Sequence, residues 1–268
     1  MWLDSFIRGQ KKWAAMTGIV ASCSFGVGSA QAESFGLALV LDGSGSISST
    51  DFALQTGAYQ SILQDDFYTN YVESYSSQGN SFYLGTYQFS SSSTREIDYT
   101  LIDSDQAAYD YGAQFSSISQ QYGSTNTSYA TTLATSELVS NGYDKKVIDV
   151  STDGVPNDYF GAINAASAAK DSGVQVNALG VGYLDETFLD SYTQAGDGFY
   201  KTAPDFEGFE AVLAQKLKQE ITGEPKPISS AVPEIDLAGG FLAFPLLIGF
   251  MMLLEERRRV REKESLSA

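Results

Sequence analysis

Residues 35–46 read FGLALVLDGSGS: seven residues without a polar side chain, then a carboxylate and two hydroxyls at alternate positions with glycines between them. A short apolar run with no alternation fits a strand buried on both faces, as the middle of a parallel sheet requires. Asp42-Gly43-Ser44-Gly45-Ser46 follows that strand directly, and its glycines let the chain curl so that side-chain oxygens approach one point. Hard cations take such oxygens. Asp, Ser and Gly are equally the residues of a helix-capping turn, so this stretch alone leaves both readings open.

Working outward, strand-like and helical patterns alternate. Ser49, Thr50 or Asp51 can cap a helix running to about Gln64. Residues 81–89, rich in aromatics, and residues 94–100 read as strands, the second at an edge. Residues 106–119 and 128–140 read as helices, 146–151 as another buried strand, and the alanine-rich 161–172 as a helix. Residues 174–181 form a strand and 184–194 a helix. A short strand near 199–201 and a helix over 205–221 close the series. The segments near 68–80 and 90–93 read as loops. The order β-α-β-β-α-α-β-α-β-α-β-α predicts an α/β fold with a mostly parallel sheet and helices on both faces. Sites in such folds lie just beyond the C-terminal ends of the strands.

Composition excludes several function classes. The chain has no histidine and one cysteine, Cys23, which removes the commonest general base, the Ser-His-Asp triad and most zinc sites. Any metal must be held by oxygen, which points to Mg²⁺, Ca²⁺ or Mn²⁺. Residues 33–236 hold eight basic residues against 28 acidic ones, a net charge of −20. That surface repels nucleic acid and attracts divalent cations.

The two ends read as export signals. Arg8, Lys11 and Lys12 precede a mostly apolar segment over residues 13–27, and Ala30-Gln31-Ala32 offers small residues for cleavage, so residues 1–32 are a signal peptide and the mature chain starts near Glu33. Val20-Ala21-Ser22-Cys23 offers a competing lipoprotein-type start at Cys23. At the other end, residues 223–236 form a linker closing on Val232-Pro233-Glu234-Ile235-Asp236. Residues 237–254 are 18 uncharged, mostly apolar positions, and residues 255–268 carry Arg257, Arg258, Arg259 and Arg261. The apolar stretch is of membrane-spanning length, with the arginines on the cytoplasmic side. This tail is either a simple anchor or, as it resembles the sorting tails recognised by exosortases in Gram-negative bacteria, a handle removed on transfer to the cell surface or extracellular matrix.

Two further segments sharpen the reading of residues 42–46. Gly123-Ser124-Thr125-Asn126-Thr127 precedes a helix, and Ser151-Thr152-Asp153-Gly154 follows the strand at 146–151. Together the three segments resemble the metal-ion-dependent adhesion site, or MIDAS, of von Willebrand factor type A domains. There an Asp-x-Ser-x-Ser loop is joined by a threonine and an aspartate from two further loops. The resemblance maps these onto Asp42, Ser44, Ser46, Thr125 and Asp153. It implies a Rossmann-like fold over residues 33–222, with one antiparallel edge strand. It also implies one divalent cation, Mg²⁺ foremost, touched more directly by the hydroxyls than by the aspartates, and a coordination position left for an acidic oxygen from a protein or polysaccharide partner. Thr127 could replace Thr125 if the loop register shifts. Asn157 and Asp158 could line the rim or serve as turn and cap residues, and Tyr129 and Tyr159 stand beside the loops. Asp149, in a strand, reads as a core or supporting carboxylate. Adhesion or scaffolding at the envelope is the function this implies. A structural role with a dispensable metal is the second reading, and metal-dependent hydrolysis, for which no acid/base pair stands out, the third.

Overall fold

The computed structural model describes residues 32–223, Tyr183 excepted. The expected signal peptide up to residue 31, the expected linker from residue 224, the apolar run at 237–254 and the basic tail therefore lie outside the described residues. No helix among the described residues is long and apolar enough to cross a membrane.

Six strands form one sheet in the order β3-β2-β1-β4-β5-β6. They are β1 (Ser34–Asp42), β2 (Ser81–Phe89), β3 (Ser93–Leu101), β4 (Lys145–Thr152), β5 (Gln175–Val181) and β6 (Tyr200–Ala203). All neighbours run parallel except the edge pair β2–β3. β1 therefore has hydrogen-bonded neighbours on both sides, and seven of its nine residues, Phe35 to Leu41, are buried apolar ones or glycine. The chain winds outward from β1 to β2 and β3, then crosses to β4 and winds the other way. The strand order reverses between β1 and β4, and the C-terminal ends of strands at such a reversal are the usual ligand position in doubly wound sheets.

Helices cover both faces, as the continuous apolar strands demand. One face carries Leu37, Leu39, Leu41, Leu84 and Val147 against α1 (Ser49–Gln64), α3 (Asp105–Ala113) and α7 (Phe209–Thr222). The other carries Ala38, Val40, Tyr87, Ile148, Val150 and Val176 against α4 (Thr127–Ser140), α5 (Tyr159–Asp171) and α6 (Glu186–Ala195). α5 can lie close to the sheet because its buried face is Ala162, Ala166 and Ala169. Side-chain caps fix several starts: Ser48 accepts from Asp51 N, Ser104 from Ala107 N and Asp185 from Thr187 N, each contributing roughly 1 kcal/mol.

Two segments differ from their sequence readings. Residues 68–76, expected as a loop, form a π-helical turn (Tyr68–Val72) running into the short helix α2 (Glu73–Ser76). Tertiary contacts explain it. Val72 is fully buried, Tyr75 packs edge-on against Phe35 at 6.1 Å, and Thr69 donates to Asp105 Oδ2 at 2.6 Å. The helix read over 106–119 is also two pieces, α3 followed by a 3-10 turn (Gln114–Ser117).

Leu39 lies at the centre of β1 with 1% of its surface exposed, whereas Leu54 on α1 is 37% exposed. Leu39→Ala is expected to cost about 2–5 kcal/mol, read as a fall in the urea midpoint, while Leu54→Ala stays within about 0.5 kcal/mol of the parent.

Candidate metal centre

The loop after β1 starts from Asp42, whose side chain is fully buried. Its Oδ1 accepts from the backbone N of Ser44 at 2.8 Å and its Oδ2 from Thr152 Oγ1 at 2.6 Å. The first bond turns the chain within two residues, and the second ties the end of β1 to the end of β4. Gly43 has no room for a side chain, since a Cβ there would meet Gln88 Oε1 at 1.9 Å. Gln55 on α1 reaches back to Asp42 O at 2.9 Å and takes a hydrogen bond from Ser151 Oγ at 2.7 Å, so the loop is held from below as well.

Three loops meet above Asp42. Thr125 Oγ1 donates to Ser44 Oγ at 3.2 Å, Ser44 Oγ lies 3.0 Å from Ser46 Oγ, and Ser46 Oγ donates to Asp153 Oδ1 at 2.8 Å. A single chain of oxygens thus runs from the loop before α4, across the loop after β1, to the loop after β4. Backbone bonds hold the loops together: Gly45 N to Gly123 O at 2.9 Å and Tyr122 N to Gly43 O at 2.8 Å. Gly123 has φ of +104°, a conformation open to glycine. Gln120 Nε2 binds both Ser44 O and Ile47 O, closing the first loop from the side.

The five residues singled out in the sequence, Asp42, Ser44, Ser46, Thr125 and Asp153, are therefore neighbours in space. Between the two threonines, Thr125 is the one that contacts Ser44. Thr127 is the first residue of α4, buried, with its hydroxyl making no hydrogen bond. Asn157 clamps Thr125 in both directions: its Oδ1 accepts from Thr125 N at 2.6 Å and its own N donates to Thr125 O at 3.0 Å. Asp158 caps α5, accepting from Gly161 N at 2.9 Å. Tyr129 is 58% exposed beside the loops, whereas Tyr159 packs on Phe188 at 5.3 Å. Asp149 lies deep in the core, paired with Lys216. Sequence reasoning missed Thr152, Gln55 and Gln120. Thr152 stands next to Asp153 and could have been included, but the two glutamines are tied to the loops by contacts with no local sequence signature.

Among the described residues no group of three or more Asp, Glu, His or Cys side chains converges on one point. The constellation is of another kind, two carboxylates and three hydroxyls. Burial pushes the Asp42 carboxyl up to about 6 against the lowering effect of its hydrogen bonds from Ser44 and Thr152, and burial also raises Asp153. Both shifts mean that the site opposes negative charge unless a positive charge is supplied.

The folded chain holds the Asp42 proton more tightly than the unfolded chain, so this contribution is full below pH about 4 and lost as pH rises through about 6. A shift of about two pH units is worth roughly 3 kcal/mol. In EDTA, the urea midpoint of the parent is expected to fall between pH 4 and 7 by more than that of Asp42→Asn, and Mg²⁺ at pH 7 is expected to recover the difference in the parent alone.

The family model described as "Protein of unknown function (DUF1194)" matches residues 33–225, and that described as "VPEID-CTERM protein sorting domain" matches residues 232–262. No curated protein matches the sequence. Several solved structures share the fold. The pilus adhesin SpaC from Lactobacillus rhamnosus GG aligns with a TM-score of 0.58 at 17% identity, over 72% of this chain and 31% of that one. A von Willebrand factor type A protein from Catenulispora acidiphila aligns with a TM-score of 0.54 at 11% identity, over 71% of this chain and 43% of that one. Proximal thread matrix protein 1 from the mussel byssus, in a structure with a zinc-occupied MIDAS motif, aligns with a TM-score of 0.52 at 19% identity, over 70% of this chain and 45% of that one. This chain spans less than half of each of these proteins. At such identities the likeness establishes a fold of von Willebrand A type, with its Rossmann-like sheet and single antiparallel edge strand. The chain belongs to the DUF1194 family and carries a C-terminal sorting domain of the VPEID type.

Proposed function

We propose that this protein is an exported envelope or surface protein that binds a partner through one divalent cation held by Ser44, Ser46 and Thr125, with Asp42 and Asp153 behind them. The observation that carries this reading is the spacing of the oxygens. Adjacent ligands of an octahedral Mg²⁺ at 2.0–2.1 Å lie about 2.8–3.0 Å apart. The successive oxygens from Thr125 to Asp153 lie 3.2, 3.0 and 2.8 Å apart. The same distances are those of hydrogen bonds, so the hydroxyls can satisfy one another or turn their lone pairs to a cation with little movement of the backbone. The donor set fits Mg²⁺ or Mn²⁺ well, and the larger Ca²⁺ would require the loops to spread.

The charge of the site supports the reading. Two carboxylates held in a partly buried setting balance a divalent cation, and the raised pKa of each is the cost that a cation would remove. A cation bound there supplies a Lewis-acidic position toward which an acidic oxygen of a protein or polysaccharide partner is drawn, although the surrounding domain is negative. Around that position the chain presents Tyr122, Tyr129, Val155 and Phe160, exposed at 54, 58, 41 and 75%, on the same loops and helix starts. A rim of this kind suits the binding of a partner.

The sorting domain at residues 232–262 supports export and processing by an exosortase-type enzyme, with the apolar stretch at 237–254 as a transient membrane anchor before release to the surface or extracellular matrix of a Gram-negative bacterium.

Isothermal calorimetry on the purified protein tests the metal reading. One Mg²⁺ or Mn²⁺ is expected to bind per chain, with affinity falling at least tenfold in Ser44→Ala and binding lost when Asp42→Ala is added. Binding that survives the double substitution, or no binding by the parent, overturns the assignment.

A further inference from the structure

Beneath the sheet, on the face covered by α1 and α7, a second polar cluster is sealed from solvent. The side chains of Lys216, Asp149 and Glu220 are each 0% exposed. Lys216 Nζ donates to Asp149 Oδ1 and, at 2.6 Å, to Glu220 Oε1. Asn177 on β5 holds the same Glu220 oxygen at 2.8 Å, and Asn177 faces Asp149 in the β4–β5 register. Asp149 Oδ2 and Glu220 Oε2 have no hydrogen-bond partner. The Phe199 ring lies 5.6 Å from Lys216 Nζ, and the buried Tyr59 is close enough for the Asp149 charge to add to burial in raising its hydroxyl pKa.

As a plain ion pair this cluster is poorly built. One ammonium faces two carboxyl groups, each buried ion costs several kcal/mol in lost solvation, and two carboxyl oxygens are left without donors. As a reaction site it is complete. A primary amine touches a carboxyl group, a second carboxyl group touches the amine, and water, which would reverse a condensation, is excluded. We propose that Lys216 and Asp149 condense to an intramolecular isopeptide bond, with Glu220 carrying the proton, so that the C-terminal helix α7 is covalently tied to the central strand β4.

The step balances without any other reactant. A proton passes from the Lys216 ammonium to the Asp149 carboxylate, leaving an amine and a carboxylic acid. The Nζ lone pair attacks Asp149 Cγ to form the N–C bond. Glu220 takes a proton from Nζ of the tetrahedral adduct and delivers one to the departing Asp149 oxygen, the C–O bond breaks and water leaves. Ammonium and carboxylate become amide and water, and Glu220 returns to its starting state. Burial and the Asp149 charge push the Glu220 carboxyl up to about 7, so it can both hold and release a proton near neutrality. The bond replaces two buried charges with a neutral amide. It also anchors the helix from which residues 224–268, with the sorting segment, continue, so a pull on that end would be borne by the sheet.

Peptide mapping by mass spectrometry on the full protein as purified tests this. The expected result is a branched peptide joining the fragment that contains Lys216 to the fragment that contains Asp149, one water lighter than their sum. Glu220→Gln and Lys216→Arg, each checked for native circular dichroism, should yield the two fragments separately. Recovery of unlinked Lys216 and Asp149 fragments from folded parent protein overturns the proposal, whatever the variants do. So does a lost water that maps to a cyclic imide at Asp153-Gly154. A branched peptide that persists undiminished in folded Glu220→Gln overturns the role given to Glu220.

Discussion

Asp42 stands at the point where the central strand gives way to the loops, buried to 0% exposure with one oxygen on Ser44 N and the other on Thr152 Oγ1. The first bond turns the chain so that Ser44 and Ser46 meet Thr125 and Asp153, and the second locks the ends of the two strands together. The loop before α4 is then fixed by Gly45–Gly123 and Tyr122–Gly43 backbone bonds, and Thr125 by Asn157. Everything above the sheet depends on a carboxylate that burial alone would rather protonate. The strain is electrostatic, and a positive charge near that carboxylate would relieve it.

Two of the buried polar groups among the described residues meet opposite problems, both with aspartates. At the strand ends, two aspartates are left short of positive charge beside an opening to solvent, which suits a cation arriving from outside. Under the sheet, Asp149 and Glu220 are paired with a lysine supplied by the chain and closed off by Phe199 and Tyr59. Gln55 and Ser151 lie between the two, hydrogen-bonded to each other, with Gln55 also holding Asp42 O. The central strands thus carry polar residues only where a specific partner exists, in a core that is otherwise apolar. With a net charge of −20 over residues 33–236, such local compensation is what lets an acidic chain keep a compact centre.

Much of this was legible in the sequence because it is local. An uninterrupted apolar run read β1 to within a residue at each end, and Asp-x-Ser-x-Ser carried its own geometry. The alternation of strands and helices gave the element order. What was not legible depends on contacts far apart in the chain. Residues 68–76 have loop-like composition and become helical because Val72 and Tyr75 pack onto the core. The choice between Thr125 and Thr127 turns on where α4 begins, one residue earlier than the pattern indicated. The partnership of Asp149 with Lys216, 67 residues away, has no periodic signature, and neither does the grip of Gln120 on the first loop.

The central claim is that three hydroxyls and two carboxylates from three loops form one cation centre. Crystals grown with Mn²⁺ and measured at the manganese absorption edge test it most directly. The account predicts one anomalous peak per chain, within about 2.0–2.4 Å of the hydroxyl oxygens of Ser44, Ser46 and Thr125. A peak held by other residues, or none at this position in Mn²⁺-saturated crystals, would contradict it.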